Sequence, residues 1–159
     1  MGCWKSAKGK WRKLWLLPWP LRLALVQAIM LLPLVRLGLR VLGLRHCQRI
    51  LGQLSEGTPP GKADPALALE QARDLAALVR AAAGVTGGTC LRQSLVLWYL
   101  LRRRGISCQL RFGSSVQAGR FESHAWVECE GESLDQVDPL QRFSAFQKPS
   151  TAGRAEPKL

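Results

Sequence analysis

An α+β fold, with helices first and a small antiparallel sheet after them, follows from three features of this chain. Before residue 105 the apolar residues recur at helical spacing, and Ala66 to about Ala83 is built from Ala, Leu and Gln. After Ile106 the pattern changes to short strand-like runs. A compact turn, Glu130-Gly131-Glu132, separates two of those runs, as in an antiparallel meander. The 159 residues suffice for one domain, or one domain with a helical appendage, and for a real core. No internal repeat interrupts the pattern.

The first unit spans residues 1 to 55. Its tail, Met1 to Lys13, is basic, and Trp4, Trp11, Trp15 and Trp19 follow closely, broken by Pro18 and Pro20. Leu23 to Val35 is apolar, but the uncharged stretch between Arg22 and Arg36 is only 13 residues. A spanning helix needs about 20. The basic start and apolar middle also look like a signal sequence, yet no small-x-small cleavage site follows. Arg36 and Arg40 are one turn apart, with Leu32, Val35, Leu39 and Leu42 on another face. The expectation is an amphipathic helix pair packed on the main domain, with membrane-surface contact through the Trp-rich start left open. Met1-Gly2-Cys3-Trp4-Lys5-Ser6 fits a myristoylation pattern, and no second feature joins it.

Residues 56 to 64, with Pro59-Pro60-Gly61, read as a linker. Asp64 offers an N-cap and Pro65 a first helical residue for the Ala-rich helix. After the loop Gly84 to Thr89, a second helix runs through Leu91 to Leu101, apolar nearly all round and so central. It ends on Arg102-Arg103-Arg104-Gly105, where cations meet the negative helix end and Gly takes a left-handed cap. Strands are expected at Ser107–Phe112, Arg120–Cys129 and Ser133–Val137. The core unit is thus 65–148, with a flexible tail at 149–159.

The net charge of +12 is unevenly spread, since no Asp or Glu precedes Glu56. Such asymmetry favours an acidic partner: a membrane surface, a nucleic acid, or an acidic protein or peptide. No base-reading motif is present, which argues against nucleic acid. The five cysteines at 3, 47, 90, 108 and 129 form no C-x-x-C, and the two histidines lie far apart. Neither a metal site nor a disulfide framework is expected, and the pattern suits a reducing cytosol. Cys108 and Cys129 read as small core residues in strand-like segments.

Cys90 is different. It opens the buried helix behind Gly87-Gly88-Thr89, where unpaired N–H groups and the helix dipole favour an anion and Thr89 can cap the helix. Gly87 and Gly88 present no side chain to block a substrate backbone, and the Cys90 amide is placed to bind an oxyanion. His124 lies on the strand Phe121 to Cys129, sharing a face with Glu122, Trp126 and Glu128. It is a candidate general base for the thiol. A third group would orient the ring, and both Asp135 and Asp138 are candidates.

Thr89-Cys90-Leu91, the apolar helix, Leu100-Leu101-Arg102-Arg103-Arg104-Gly105-Ile106 and Ser123-His124-Ala125-Trp126-Val127-Glu128 resemble the transglutaminase-like cysteine proteases. More narrowly, they are similar to the B2 leader peptidases of lasso-peptide biosynthesis. The resemblance covers residues 65 to 146 and implies a papain/transglutaminase-like core, a nucleophile helix packed on an antiparallel sheet. It implies a cofactor-free Cys-His-Asp mechanism that cuts the leader from a ribosomally made precursor peptide before an ATP-dependent cyclase closes the ring. Carried over, Cys90 is the nucleophile, His124 the base and Asp135 the acid, favoured over Asp138 by its position after the strand and its spacing to Arg142-Phe143. Fused relatives carry a winged leader-binding module ahead of the protease, whereas this chain has about 60 helical, basic residues there. The resemblance therefore implies a separate leader-recognition protein, often called B1. The basic N-terminal region would serve docking to that partner, contact with the cyclase, or membrane proximity. Two other readings stay open: an acyltransferase or amidase with the same thioester intermediate, and a non-catalytic basic protein that binds membranes or a partner.

Overall fold

The computed structural model of the chain describes residues 18–55, 64–117, 120–135 and 144–145. Helix α1, Trp19–Val41, is followed by α2, Gly43–Ser55, then α3, Pro65–Thr86, and α4, Cys90–Arg102. Strands β1, Gln109–Gln117, β2, Arg120–Cys129, β3, Glu132–Ser133, and β4, Ser144–Ala145, complete the fold. The sheet is antiparallel throughout, in the order β3-β2-β1-β4. This is the α+β architecture expected from the sequence.

Helix α4 lies at the centre. Every residue from Ser94 to Leu101 is buried, because α1, α2 and α3 pack against it and the sheet meets it through β2 and β1. Its end matches expectation: Gly105 takes φ 71°, and the Ile106 amide returns to the Leu101 carbonyl at 3.1 Å. Helix α3 starts as expected, with the Ala66 N–H donating to Asp64 Oδ1 at 3.2 Å and Pro65 opening the helix. Its inner face runs Ala72, Leu75, Ala76, Val79, Ala82, Ala83, the i, i+3, i+4, i+7 spacing of a helix laid on a core. Small residues at 24 and 28 of α1, both wholly buried, let that helix approach closely.

Helices α1 and α2 share this core. Ala24, Leu25, Ala28, Leu32 and Val35 of α1 and Cys47 and Leu51 of α2 belong to one hydrophobic cluster with α3, α4, Val127, Cys129 and Leu134. The expected helix pair packed on the main domain is therefore present. Helix α1 is long and apolar enough, by length and composition, to cross a membrane, with 28% of its most apolar window buried. The tail 1–13, Trp4, Trp11, Trp15, the myristoylation-like hexapeptide, linker residues 56–63 and the tail 149–159 lie outside the described residues.

Two strands differ from expectation. β1 starts at Gln109, and continues through Gly113-Ser114-Ser115 to Gln117 instead of stopping at Phe112. That stretch has turn-like composition, but it is paired on both edges: Gly113 faces His124 of β2 and Ala145 of β4. Ladder pairing has overridden local propensity. The third strand is the two residues Glu132–Ser133, extended by the Leu134 N–H donating to the Val127 carbonyl at 2.9 Å; 136 and 137 are not among the described residues. The turn before it is a two-residue hairpin, Glu130 and Gly131, at φ 50° and 81°. Positive φ at both positions is the turn whose twist matches that of the flanking strands.

Candidate active site

A cavity of about 470 Å³ opens between α3, the start of α4 and strand β2. Cys90 and Gln93 line it from α4, Arg80 and Ala83 from α3, and His124 and Asp135 from the sheet. Cys90, His124 and Asp135, the three residues singled out in the sequence, thus face one space. Asp138 lies outside the described residues.

Cys90 is the first residue of α4 and is half-buried. Thr89 occupies the N-cap position, with extended backbone at φ −78° and ψ 163°, but its side chain makes no capping hydrogen bond. Instead Thr89 Oγ1 accepts from Arg92 Nε at 3.2 Å, and Arg92 Nη2 donates to the Gly87 carbonyl at 2.7 Å. The expected hydroxyl cap is replaced by a guanidinium one turn along, which reaches back to hold the loop. The amides at the start of α4 are thus not covered by Thr89, which suits an anion there.

The two glycines before Thr89 have different reasons. Gly87 is the left-handed cap of α3, at φ 68°, and its amide returns to the Ala83 carbonyl. Gly88 packs on α3 itself: a Cβ there would stand 2.8 Å from Ala83 Cβ and 3.3 Å from its Cα. Its missing side chain makes room for the helix beneath the loop rather than only for a substrate above it. Gln93 Nε2 donates to the Gly88 carbonyl at 2.9 Å and fixes the loop from the other side.

The imidazole is held by its own strand and the next. His124 Nε2 and Asp135 Oδ2 are 2.5 Å apart. Val127 and Cys129 of β2 belong to the core cluster, and His124, Trp126 and Glu128 alternate with them along the strand. There the Trp126 and His124 rings lie nearly parallel, at 15°, with centroids 6.1 Å apart. Trp126 is only 1% exposed; its Nε1 donates to Glu128 Oε1 at 2.9 Å, and Glu128 Oε2 accepts from Arg111 Nε at 2.9 Å. The His-Ala-Trp-Val-Glu run is therefore a physical stack: the ion pair holds the indole, and the indole holds the imidazole. Across the ladder, Gly113 is the residue paired with His124.

Asp135 is fixed through its neighbours. Leu134 is buried, and Arg80 Nη1 donates to its carbonyl at 3.0 Å while its own N–H pairs with β2. The Asp135 N–H donates to Ser133 Oγ at 3.2 Å. The two halves of the site are joined by Ser94, whose buried hydroxyl donates to the Ala125 carbonyl at 2.7 Å. Sequence reading missed Arg80 and Ser94. A hydroxyl inside an otherwise apolar run was the available signal for Ser94; one of two arginines in an Ala-rich helix gave none for Arg80.

The other described cysteines are structural. Burial raises the pKa of the Cys47 thiol. That of Cys108 is raised by its hydrogen bond to Cys129 and then by burial, which keeps it protonated. Among the described residues no group of His, Cys, Asp and Glu could hold a metal ion.

A cysteine at the head of a buried helix, facing a His-Asp pair on an antiparallel sheet, defines a class of thiol-dependent acyl-transfer fold. A model of the transglutaminase-like superfamily matches residues 28–148, so the chain belongs to that superfamily. The match begins inside α1, and the superfamily's chemistry is that of cysteine peptidases and acyltransferases. Comparison with curated proteins and with solved structures gives no match.

Proposed function

We propose that this chain is a cysteine peptidase that removes the leader from a ribosomally made lasso-peptide precursor. One observation carries the catalytic part: Cys90, His124 and Asp135 line a single cavity, with His124 Nε2 on the Asp135 carboxylate. In this reading His124 Nδ1 takes the Cys90 proton. The thiolate then attacks the scissile carbonyl carbon, with the Cys90 amide among the donors to the oxyanion. The C–N bond breaks as His124 returns that proton to the leaving amine, giving a thioester. Water, deprotonated by His124, attacks the thioester carbon; the C–S bond breaks, releasing the carboxylate product and the thiol. Asp135 keeps the ring in one tautomer and orientation throughout.

The substrate part rests on the resemblance of the Thr89-Cys90-Leu91 and His-Ala-Trp-Val-Glu segments to the B2 leader peptidases. A small B1-type protein would present the leader, and the cyclase would receive the trimmed core peptide. The reaction then takes place in the cytoplasm, where precursor and cyclase are made.

Intact-mass analysis of the precursor, incubated with this protein with and without the leader-binding partner, tests the reading. A Cys90-dependent split into leader and core, with the mass of one water added, is the expected result. A precursor left intact under both conditions overturns leader removal. Attachment of an amine in place of water assigns acyl transfer instead.

A further inference from the structure

The outward face of α1 is apolar. Leu23, Val26, Met30, Leu34, Leu37 and Val41 are all exposed, Met30 at 63%. At 3.6 residues per turn they fall within an arc of about 80° and run roughly 27 Å along the helix. Trp19, 70% exposed, heads the same stripe. The opposite face, Ala24 to Val35, is in the core. Helix α1 is thus apolar on two opposite sides, and among the described residues only one is covered. Soluble chains rarely leave so long a continuous apolar patch in water.

Cations border the stripe on both sides. Arg22, Arg36 and Arg40 share one flank of α1 by helical geometry. On the other flank a cleft of about 440 Å³ separates Val26, Met30 and Leu31 from Tyr99, Leu100, Arg103 and Arg104 at the end of α4. Helices α1 and α2 contain no acidic residue, and five more cations occur between Lys5 and Lys13. An apolar strip between two cationic margins matches acyl chains between anionic headgroups.

We propose that α1 docks this protein in the plane of an anionic lipid bilayer, with the Leu23-to-Val41 stripe in the acyl boundary and the flanking arginines at the phosphates. The helix lies on the membrane rather than across it, since its inner face is already occupied by the core. The proposal does not depend on the peptidase reading, so each can fail alone.

Vesicle flotation of the full chain tests it, comparing neutral phosphatidylcholine with vesicles containing about one-third phosphatidylglycerol. Wild type floats with the anionic vesicles and is released in part as salt rises. The double variant Met30→Glu/Leu37→Glu, at two exposed positions, loses roughly tenfold or more in partitioning, with an unchanged melting temperature. Arg36→Glu/Arg40→Glu weakens anionic binding by roughly fivefold or more per site. Equal flotation of wild type and the Met30/Leu37 variant means that the basic tail alone binds, and overturns the proposal. So does absence of flotation, including the case where light scattering shows a dimer that the variant abolishes.

Discussion

Replacing Asp135 by alanine separates the geometry of the site from the stability of the fold. The carboxylate sits 2.5 Å from His124 Nε2, and the two side chains are 23% and 30% exposed, His124 first. Solvent screens a pair of that exposure, so its loss should lower stability by only about 0.5–1.5 kcal/mol. For a chain of this size that is roughly 1–6 °C in Tm. Catalysis should suffer more. Without the carboxylate the ring is no longer held in the Nε2–H tautomer, and general-base catalysis typically contributes about 10²–10⁴-fold. A loss of roughly 10²–10³ in kcat/KM is expected, equivalent to about 2.7–4.1 kcal/mol at the transition state. Asp135→Asn, whose amide oxygen can still accept from Nε2–H, should recover a large part of the loss, as a Cys-His-Asn site does. Leader release followed by mass spectrometry gives the rate, and calorimetry gives Tm. An Asp135→Ala protein within about threefold of wild type would falsify the assignment and shift attention to Asp138.

Other outcomes follow from single contacts. Gly88→Ala forces a Cβ to within 2.8 Å of Ala83, so it should destabilise by about 1–3 kcal/mol. Gly84→Ala, inside α3 with nothing within 4 Å of the added atom, should stabilise by about 0.5–1 kcal/mol; calorimetry of the two side by side checks both signs. Arg80→Gln removes the donor to the Leu134 carbonyl and should lower kcat more than it raises KM, with Arg80→Lys restoring part of it. Iodoacetamide at neutral pH, followed by peptide mapping, should label Cys90 well ahead of Cys47, Cys108 and Cys129, because Cys47 and Cys129 are buried and Cys108 is held protonated. Equal labelling of Cys108 would contradict the protection given by its burial and its Sγ–H donated to the Trp98 carbonyl.

The helices were legible because their punctuation is local: Asp64-Pro65 at one start and Arg104-Gly105 at one end need no tertiary context. Cys90 and His124 were legible because each sits in an element that its own neighbours define. The continuation of β1 through Gly113-Ser114-Ser115 was not, since pairing with His124 and Ala145 makes those residues a strand. Thr89 looked like a cap by residue type alone; the arginine that takes its oxygen is three positions on, and no propensity scale sees that competition. Arg80 was invisible because its purpose lies 54 residues away, at a carbonyl. The outer stripe of α1 could not be told from its inner one in sequence, because both are leucine-rich and only packing distinguishes them.

The two-residue turn at Glu130-Gly131 has a consequence for how this site can vary. His124 and Asp135 stand on either side of it, and their meeting depends on the pairing of Glu128 with Ser133 and of Cys129 with Glu132. Side chains alternate with a period of two, so one residue more or less in the hairpin would send the carboxylate to the opposite face of the sheet. Nothing on α4 is subject to that parity, because the thiol comes from a different stretch of chain. The turn therefore works as a spacer whose length is counted in whole pairs, and an insertion of a single residue there would part the carboxylate from the imidazole.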